Sequence, residues 1–271
     1  MRLSFASAAA VAASLVVAST IAASAADMPA KAPVYAPVAL YNWSGFYAGV
    51  NAGAAFGRAS FQTSTTNPSY FADSSLPAIA ATGNQSANNT GFTGGLQLGY
   101  NWQMNSVVVG LEADFGYMGL RASSSATALY PCCAPTNFTV SSSAKTDWLM
   151  TLRPRVGIAN NNWLLYVTGG LAVAQVKGDF TFTDTFAASA ESASISKTKA
   201  GWALGGGVEY ALAGAWSMKA EYLHVDLGSV SGSSNNQTVG TPAVAVPLNT
   251  WSHSVKVTDD IVRLGLNYKL R

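Results

Sequence analysis

The sequence predicts an all-β protein, an eight-stranded antiparallel up-and-down transmembrane β-barrel. Three observations predict it. The first is composition: 49% of the 271 residues are hydrophobic and only 10% are charged, against about 25% charged in an ordinary soluble domain. The second is that, beyond the N-terminus, no apolar run approaches the roughly 18 residues that a spanning helix needs. The third is strict alternation in the last stretch, Asp260 to Arg271, where Val262, Leu264, Leu266, Tyr268 and Leu270 are separated by Arg263, Gly265, Asn267 and Lys269. Alternation of this kind makes a strand with one oily and one polar face. Half-oily strands with little charge are what a lipid-wetted barrel requires. A net charge of +2 without a basic run gives nucleic acid no footing.

Residues 1–26 are read as a cleaved export signal and excluded from the fold. Arg2 is the positive start, Leu3 to Ile21 is the apolar stretch, and Ala23-Ser24-Ala25-Ala26 offers small residues for cleavage. No cysteine follows the cut, so a lipoprotein anchor is excluded. Residues 27–41 carry Pro29, Pro33 and Pro37, and proline at this spacing makes an extended periplasmic lead-in. The barrel then occupies residues 42–271.

Eight alternating segments follow. In the first, Asn42–Ser60, Phe46, Ala48, Val50 and Ala52 alternate with Gly45, Tyr47, Gly49, Asn51 and Gly53. Glycines four apart keep to one strand face as well as to a helix face, and the stretch is too short and polar to span as a helix. The second, Gly91–Gln103, turns Phe92, Leu96, Leu98, Tyr100 and Trp102 outward. The third, Val107–Ala122, places Leu111, Phe115 and Tyr117 outward and Glu112 and Asp114 inward. The fourth, Lys145–Asn160, has Trp148, Met150, Leu152, Val156 and Ile158 outward and Arg153 and Arg155 inward. Pro154 lacks a ladder donor, so a local bulge is expected there. The fifth is Trp163–Thr183. The sixth, Thr198–Ala211, turns Glu209 inward, the seventh, Trp216–Leu227, turns Lys219 and Glu221 inward, and the eighth begins near Val255.

The connections alternate in length. Polar stretches 61–90, 123–144, 184–197 and 229–254 read as long loops, and 104–106, 160–162 and 212–215 as short turns. Short periplasmic turns opposite long extracellular loops are the outer-membrane arrangement. Aromatic residues gather at strand ends: Trp43, Tyr100, Trp102, Trp163, Tyr210, Trp216 and Tyr268 near the turns, Phe92, Tyr117, Trp148, Trp202 and Tyr222 near the loops. Two such girdles are expected at the two membrane interfaces.

The expected lumen carries Glu112, Asp114, Arg153, Arg155, Glu209, Lys219, Glu221 and Arg263. A barrel of about eight strands is barely wide enough for its own side chains. Charges inside must pair or meet water. Glu112 and Asp114 are therefore expected to meet Arg153 and Arg155, and Glu209 to meet Lys219, in a plugged interior. Cys132 and Cys133 read as a loop feature without a catalytic task, able to bridge as neighbours. His224 and His253 flank the last loop. A shared haem contact is the sharper reading of the pair, and two ordinary rim histidines the plainer and preferred one. No catalytic constellation emerges, and no cofactor or metal is expected.

Several segments carry a family resemblance: WSGFYAGVNAG (43–53), GGLQLGYNWQ (94–103), VGLEADFGY (109–117), DWLMTLRPRVGIA (147–159), YVTGGLAVAQV (166–176), GWALGGGVEYAL (201–212), WSMKAEYLHVDLG (216–228) and VRLGLNYKL (262–270). In this order they resemble the RopB-type outer-membrane proteins of Gram-negative bacteria, small porin-like surface antigens. The resemblance implies an eight-stranded barrel in the cell outer membrane with surface-facing loops. It implies outer-membrane lipid, extracellular partners of the loops, and the barrel-assembly machinery acting on the last strand as partners. It leaves a structural envelope role, a small diffusion porin and loop-borne haem or ligand binding as functions, none of them enzymatic. Such barrels usually finish on an aromatic residue; here Leu270 and Arg271 stand at the end.

Overall fold

The computed structural model describes residues 41–66 and 70–270. The export signal and nearly all of the lead-in lie outside them. Eight long strands make the body: β1 (Gly45–Thr65), β2 (Gln85–Met104), β3 (Val107–Leu129), β4 (Asn137–Asn160), β5 (Trp163–Asp184), β6 (Ala190–Ala211), β7 (Trp216–Ser234) and, after the two-residue strands β8 (Thr238–Val239) and β9 (Val244–Ala245), β10 (Trp251–Lys269). Each long strand pairs antiparallel with its neighbours, and β1 pairs with β10 from Tyr47↔Lys269 to Thr65↔Trp251. That last pairing closes the ring, so no backbone edge is left to face lipid.

The outward face has a belt of large exposed apolar side chains, among them Val50, Leu98, Leu111, Leu152, Leu165, Leu204 and Leu264. A water-facing surface does not expose so wide a contiguous apolar band, whereas lipid requires it. Aromatic pairs mark the turn side of the belt: Tyr100 with Trp102, Trp163 with Tyr210 and Trp216 with Tyr268, at 4.5, 4.5 and 5.0 Å between ring centres. Trp43 does not belong to that girdle. It is buried inside with Val108, Ala159, Leu164 and Tyr166, where it stoppers the turn end of the ring. It shares the odd positions of the inward Tyr47 and Asn51, so the alternation of the segment carried one step back points it into the ring, not to the girdle. Tight turns at Asn105 and Asn161 use left-handed backbone, φ 55° and 54°, which asparagine tolerates.

Three expectations about the chain path need correction. First, the strands run 19 to 24 residues, about twice what a tilted strand needs to cross a bilayer. Much of what read as loop is ladder: 123–129 pairs with 137–143, and 190–197 pairs with 176–183 of the fifth strand. Beyond the lipid there is no oily outer face, so Ser, Thr and Ala alternate without hydropathy contrast and the strand signal fades. Second, the connection after β1 contains a helix, α1 (Ser75–Gly83), whose Ile79 is fully buried. Third, no bulge forms at Pro154: the β3–β4 ladder runs through Leu111↔Pro154, and on the β5 side Thr168 Oγ1 donates to the Pro154 carbonyl at 2.9 Å. The register shift instead falls between Thr146 and Leu149. Pro154 interrupts pairing only with the Gly169–Gly170 stretch, where the ladder lacks the N–H that proline cannot supply, while the Thr168 hydroxyl satisfies the Pro154 carbonyl.

The ring itself opens above the belt. Pairing of β2 with β3 stops at Thr93↔Met118, and pairing of β6 with β7 stops at Trp202↔Asp226. Past those points β2-β1-β10-β7 and β3-β4-β5-β6 continue as two separate four-stranded sheets facing each other. Side chains bridge both seams: Asn89 Nδ2 donates to the Arg121 carbonyl, Lys197 Nζ to that of Ser231 at 2.8 Å, and Asn236 Nδ2 to that of Ser192 at 2.7 Å. Closure is compulsory only where water cannot reach the backbone. In water, a sandwich with wetted edges serves as well.

Candidate functional site

The interior is built because odd and even positions of each strand part company at the wall. Leu111, Phe115 and Leu264 go to lipid, while Glu112, Asp114 and Arg263 go inward. In a ring this narrow the inward side chains meet across the lumen. Arg153, fully buried, is the hub: its guanidinium reaches Glu112 at 2.9 Å, Asp114 at 2.8 Å and Glu221 at 3.4 Å. Arg263 bridges Asp114 at 3.1 Å and Glu221 at 2.6 Å. Lys219 crosses the lumen to Glu112 at 2.8 Å and lies 3.7 Å from Glu221. Arg155 reaches Glu209 at 3.2 Å and Glu112 at 3.6 Å, sandwiched between the rings of Tyr47 and Tyr166. All eight charged residues singled out in the sequence thus share one network, four cations against four carboxylates.

One pair is not as expected. Glu209 and Lys219 sit directly opposite in the ladder, yet they do not bond to each other. Glu209 is held by Arg155, Ser217 and Asn267, and the Lys219 ammonium lies near two carboxylates, Glu112 and Glu221. Ladder register sets where Cβ atoms stand. A desolvated ammonium goes where the most negative charge can surround it.

Parity of sequence did not announce the neutral partners. Tyr47 donates to Glu112 at 2.7 Å and Tyr166 to Glu221 at 2.9 Å. Asn51 and Gln97 are bonded to each other, and Asn101 accepts from Arg155 at 2.9 Å. Their signal was simply inward position on strands already drawn. Lumenal glycines make the space: a Cβ on Gly53 would stand 2.1 Å from the Val262 carbonyl oxygen, and one on Gly49 2.2 Å from Asn267 Oδ1.

Apolar packing closes both sides of this charged layer. The Trp43 group lies on the turn side. On the loop side, Met118, Leu120, Leu223, Val225, Leu227 and Ile261 form part of one buried cluster. Asp259 lies at its edge, buried, with no donor among the described residues to either carboxylate oxygen. Charged or neutral, a carboxyl so placed has lost water and gained nothing. Asp259→Val is therefore expected to stabilise the barrel by about 1–3 kcal/mol. A lowered or unchanged urea midpoint, read by heat-modifiable gel migration, would contradict that account.

The loop end has its own lid. Ile79 of α1 packs in one buried cluster with Phe71, Phe138, Phe182, Trp251 and, just after β3, Tyr130. Asp184 accepts from Tyr70 and Tyr130, each at 2.8 Å, and from the backbone N–H of Ser189 at 2.9 Å. Burial, and then the Asp184 carboxylate, push both phenols above their usual range, so they remain neutral donors. Cys132 and Cys133 are bonded to each other at the rim of this lid.

The two histidines do not converge. His253 points inward, between Thr63 at 3.1 Å and Glu191 at 3.3 Å, stacked on Phe180. His224 lies outside against Trp202, 2.8 Å from Asp260. They flank one loop, but opposite parity sends them to opposite sides of the wall, so they cannot share a ligand.

The comparisons agree with this architecture. The family model described as "Outer membrane protein beta-barrel domain" matches residues 10–257. The chain is 36% identical over 236 residues to the "31 kDa outer-membrane immunogenic protein" of Brucella melitensis biotype 1, covering 86% of this chain and 85% of the relative. It is 33% identical over 139 residues to the "22 kDa outer membrane protein" of Rhizobium leguminosarum bv. viciae, covering 51% of this chain and 54% of the relative. Among solved structures, the outer membrane protein OprG from Pseudomonas aeruginosa is similar with a TM-score of 0.44 and 12% identity, covering 84% of this chain and 98% of that one. With its closed eight-stranded ring and its lipid-facing belt, the chain belongs to the outer membrane protein β-barrel domain family, and it is an outer-membrane protein of the Gram-negative kind.

Proposed function

We propose that this protein is a structural and surface-exposed component of the outer membrane, neither an enzyme nor a diffusion pore. The observation that supports this reading is the stacked interior. A self-neutralised charge layer lies between two apolar packings, with a folded lid beyond, so among the described residues no continuous polar path runs along the axis. In this reading the two-sheet extension and its lid face outward, and the turns at Asn105 and Asn161 face the periplasm. The Brucella relative is named an immunogenic outer-membrane protein, a name that fits a surface-facing end. The partners proposed are outer-membrane lipid around the belt, the assembly machinery at the last strand, and extracellular molecules at the lid.

The test is an epitope inserted between Pro242 and Ala243, which are exposed in the β8–β9 turn. Antibody is expected to stain intact cells carrying it, while the same epitope placed between Asn161 and Asn162 stains only after the outer membrane is permeabilised. The reverse pattern would turn the molecule upside down and end this reading.

A further inference from the structure

We propose that the outer face of β3, β4 and β5, just above the apolar belt, binds a phosphorylated glycolipid of the outer leaflet. The face is graded in three tiers. Lowest is apolar and aromatic: Phe115 and Trp148, 6.0 Å apart, with Tyr117 and the exposed Met150. Next is a row of cations. Arg121 stands directly opposite Lys145, and Lys145 directly opposite Lys177, on three consecutive strands. Above them come hydroxyls: Ser123, Ser125 and Thr127 face Ser143, Ser141 and Thr139 in register, with Thr181 alongside on β5. Ser123, Ser125, Ser141, Ser143 and Thr181, together with Asp179, line a shallow groove of about 320 Å³.

The cation row has no account in the fold itself. Like charges directly opposite in a ladder destabilise the pair. One carboxylate, Asp147, serves both lysines, at 2.8 Å from Lys145 and 3.0 Å from Lys177. The next carboxylate up, Asp179, accepts from Ser194 at 2.7 Å. Three cations against Asp147 leave the row in excess of positive charge, and its lysines are partly open to solvent, 38% and 41% exposed. The opposite wall is different: Lys256 pairs with Asp226 at 3.1 Å, while Asp260 accepts from Tyr222 at 2.6 Å and lies 2.8 Å from His224 Nδ1. Three cations in register thus stand side by side on β3–β5, an arrangement that β7 and β10 do not repeat.

An amphiphile with the same order of chemistry completes this face. Its acyl chains would lie along the belt, its phosphate between Arg121, Lys145 and Lys177, and its sugar hydroxyls against the Ser/Thr tier. Arg and Lys at the lipid–water boundary recognise anionic headgroups in this way. The assignment rests on the proposed orientation, with the two-sheet end outward. The epitope experiment tests that orientation by itself, and binding measured in detergent does not depend on it.

The experiment measures binding of a fluorescent acylated glucosamine disaccharide bisphosphate to the full mature barrel in a non-ionic detergent. Every variant is first checked for heat-modifiable migration. The triple variant R121Q/K145Q/K177Q is expected to bind roughly 10- to 100-fold more weakly, and K256Q, on the opposite wall, to bind like the parent. The dephosphorylated disaccharide is expected to lose a similar factor, and inorganic phosphate not to displace the probe at millimolar concentration. Unchanged affinity in the triple variant, an equal loss in K256Q, tight binding of the dephosphorylated lipid, or displacement by inorganic phosphate would each overturn the assignment. If the triple variant does not fold, K177Q decides: a loss of roughly 3- to 10-fold supports the site and none overturns it.

Discussion

Replacing Arg153 with methionine is expected to destabilise the barrel by about 3–5 kcal/mol, or to prevent its assembly. Arg153 bonds Glu112 and Asp114 at 2.9 and 2.8 Å and approaches Glu221 at 3.4 Å, and its side chain is 0% exposed. Removing it strips a guanidinium from three carboxylates that water does not reach. Arg263, Lys219 and Arg155 still serve them, so the network does not vanish, but none of these three touches all of Glu112, Asp114 and Glu221 as Arg153 does. The reading is the urea midpoint of heat-modifiable migration. The comparison is Lys145→Gln, which breaks an exposed ion pair at 2.8 Å and is expected to cost at most about 1 kcal/mol. Equal effects from the two would mean that burial contributes nothing to the network, and the description of the lumen would be wrong.

Planar bilayers loaded with the purified barrel are expected to stay electrically silent. The charge layer has no cations left over to line a path, and Met118, Leu223 and Ile261 are wholly buried in the packing beside it. Trimming that packing is expected to weaken the barrel without making it conduct. Leu223→Ala is expected to cost about 2–5 kcal/mol through the lost contacts and the cavity left behind. Discrete, reproducible current steps from folded wild-type protein would sink the closed-lumen account and restore the porin reading. Steps appearing only in Leu223→Ala would locate the seal in that packing.

Legibility differed from region to region. Within the belt, the inward or outward direction of Glu112, Leu111, Arg263 and Leu264 could be read from the sequence, because lipid on one side and charge on the other give each strand maximal contrast. Above the belt that contrast disappears. Stretch 123–129 reads SSSATAL, which fits a loop as well as the ladder it forms with β4. Tyr47 and Tyr166 stood on inward positions, but alternation assigns a face and never a partner. The same limit applies to the histidines: their nearness in sequence said they could meet, and the wall between them decided otherwise.

What the sequence determined by itself was the ring. Its number of crossings, the lipid-facing side of each and the stock of interior charge follow from a period of two, and a period of two is written residue by residue. Which charge meets which, where the ring parts into two sheets and how α1 lids the loop end were decided only by tertiary structure. Those outcomes depend on side chains from distant strands sharing one narrow space: Lys219 reaches Glu112, 107 residues away, rather than Glu209 beside it. Desolvation sets that choice, and desolvation is a property of the assembled interior.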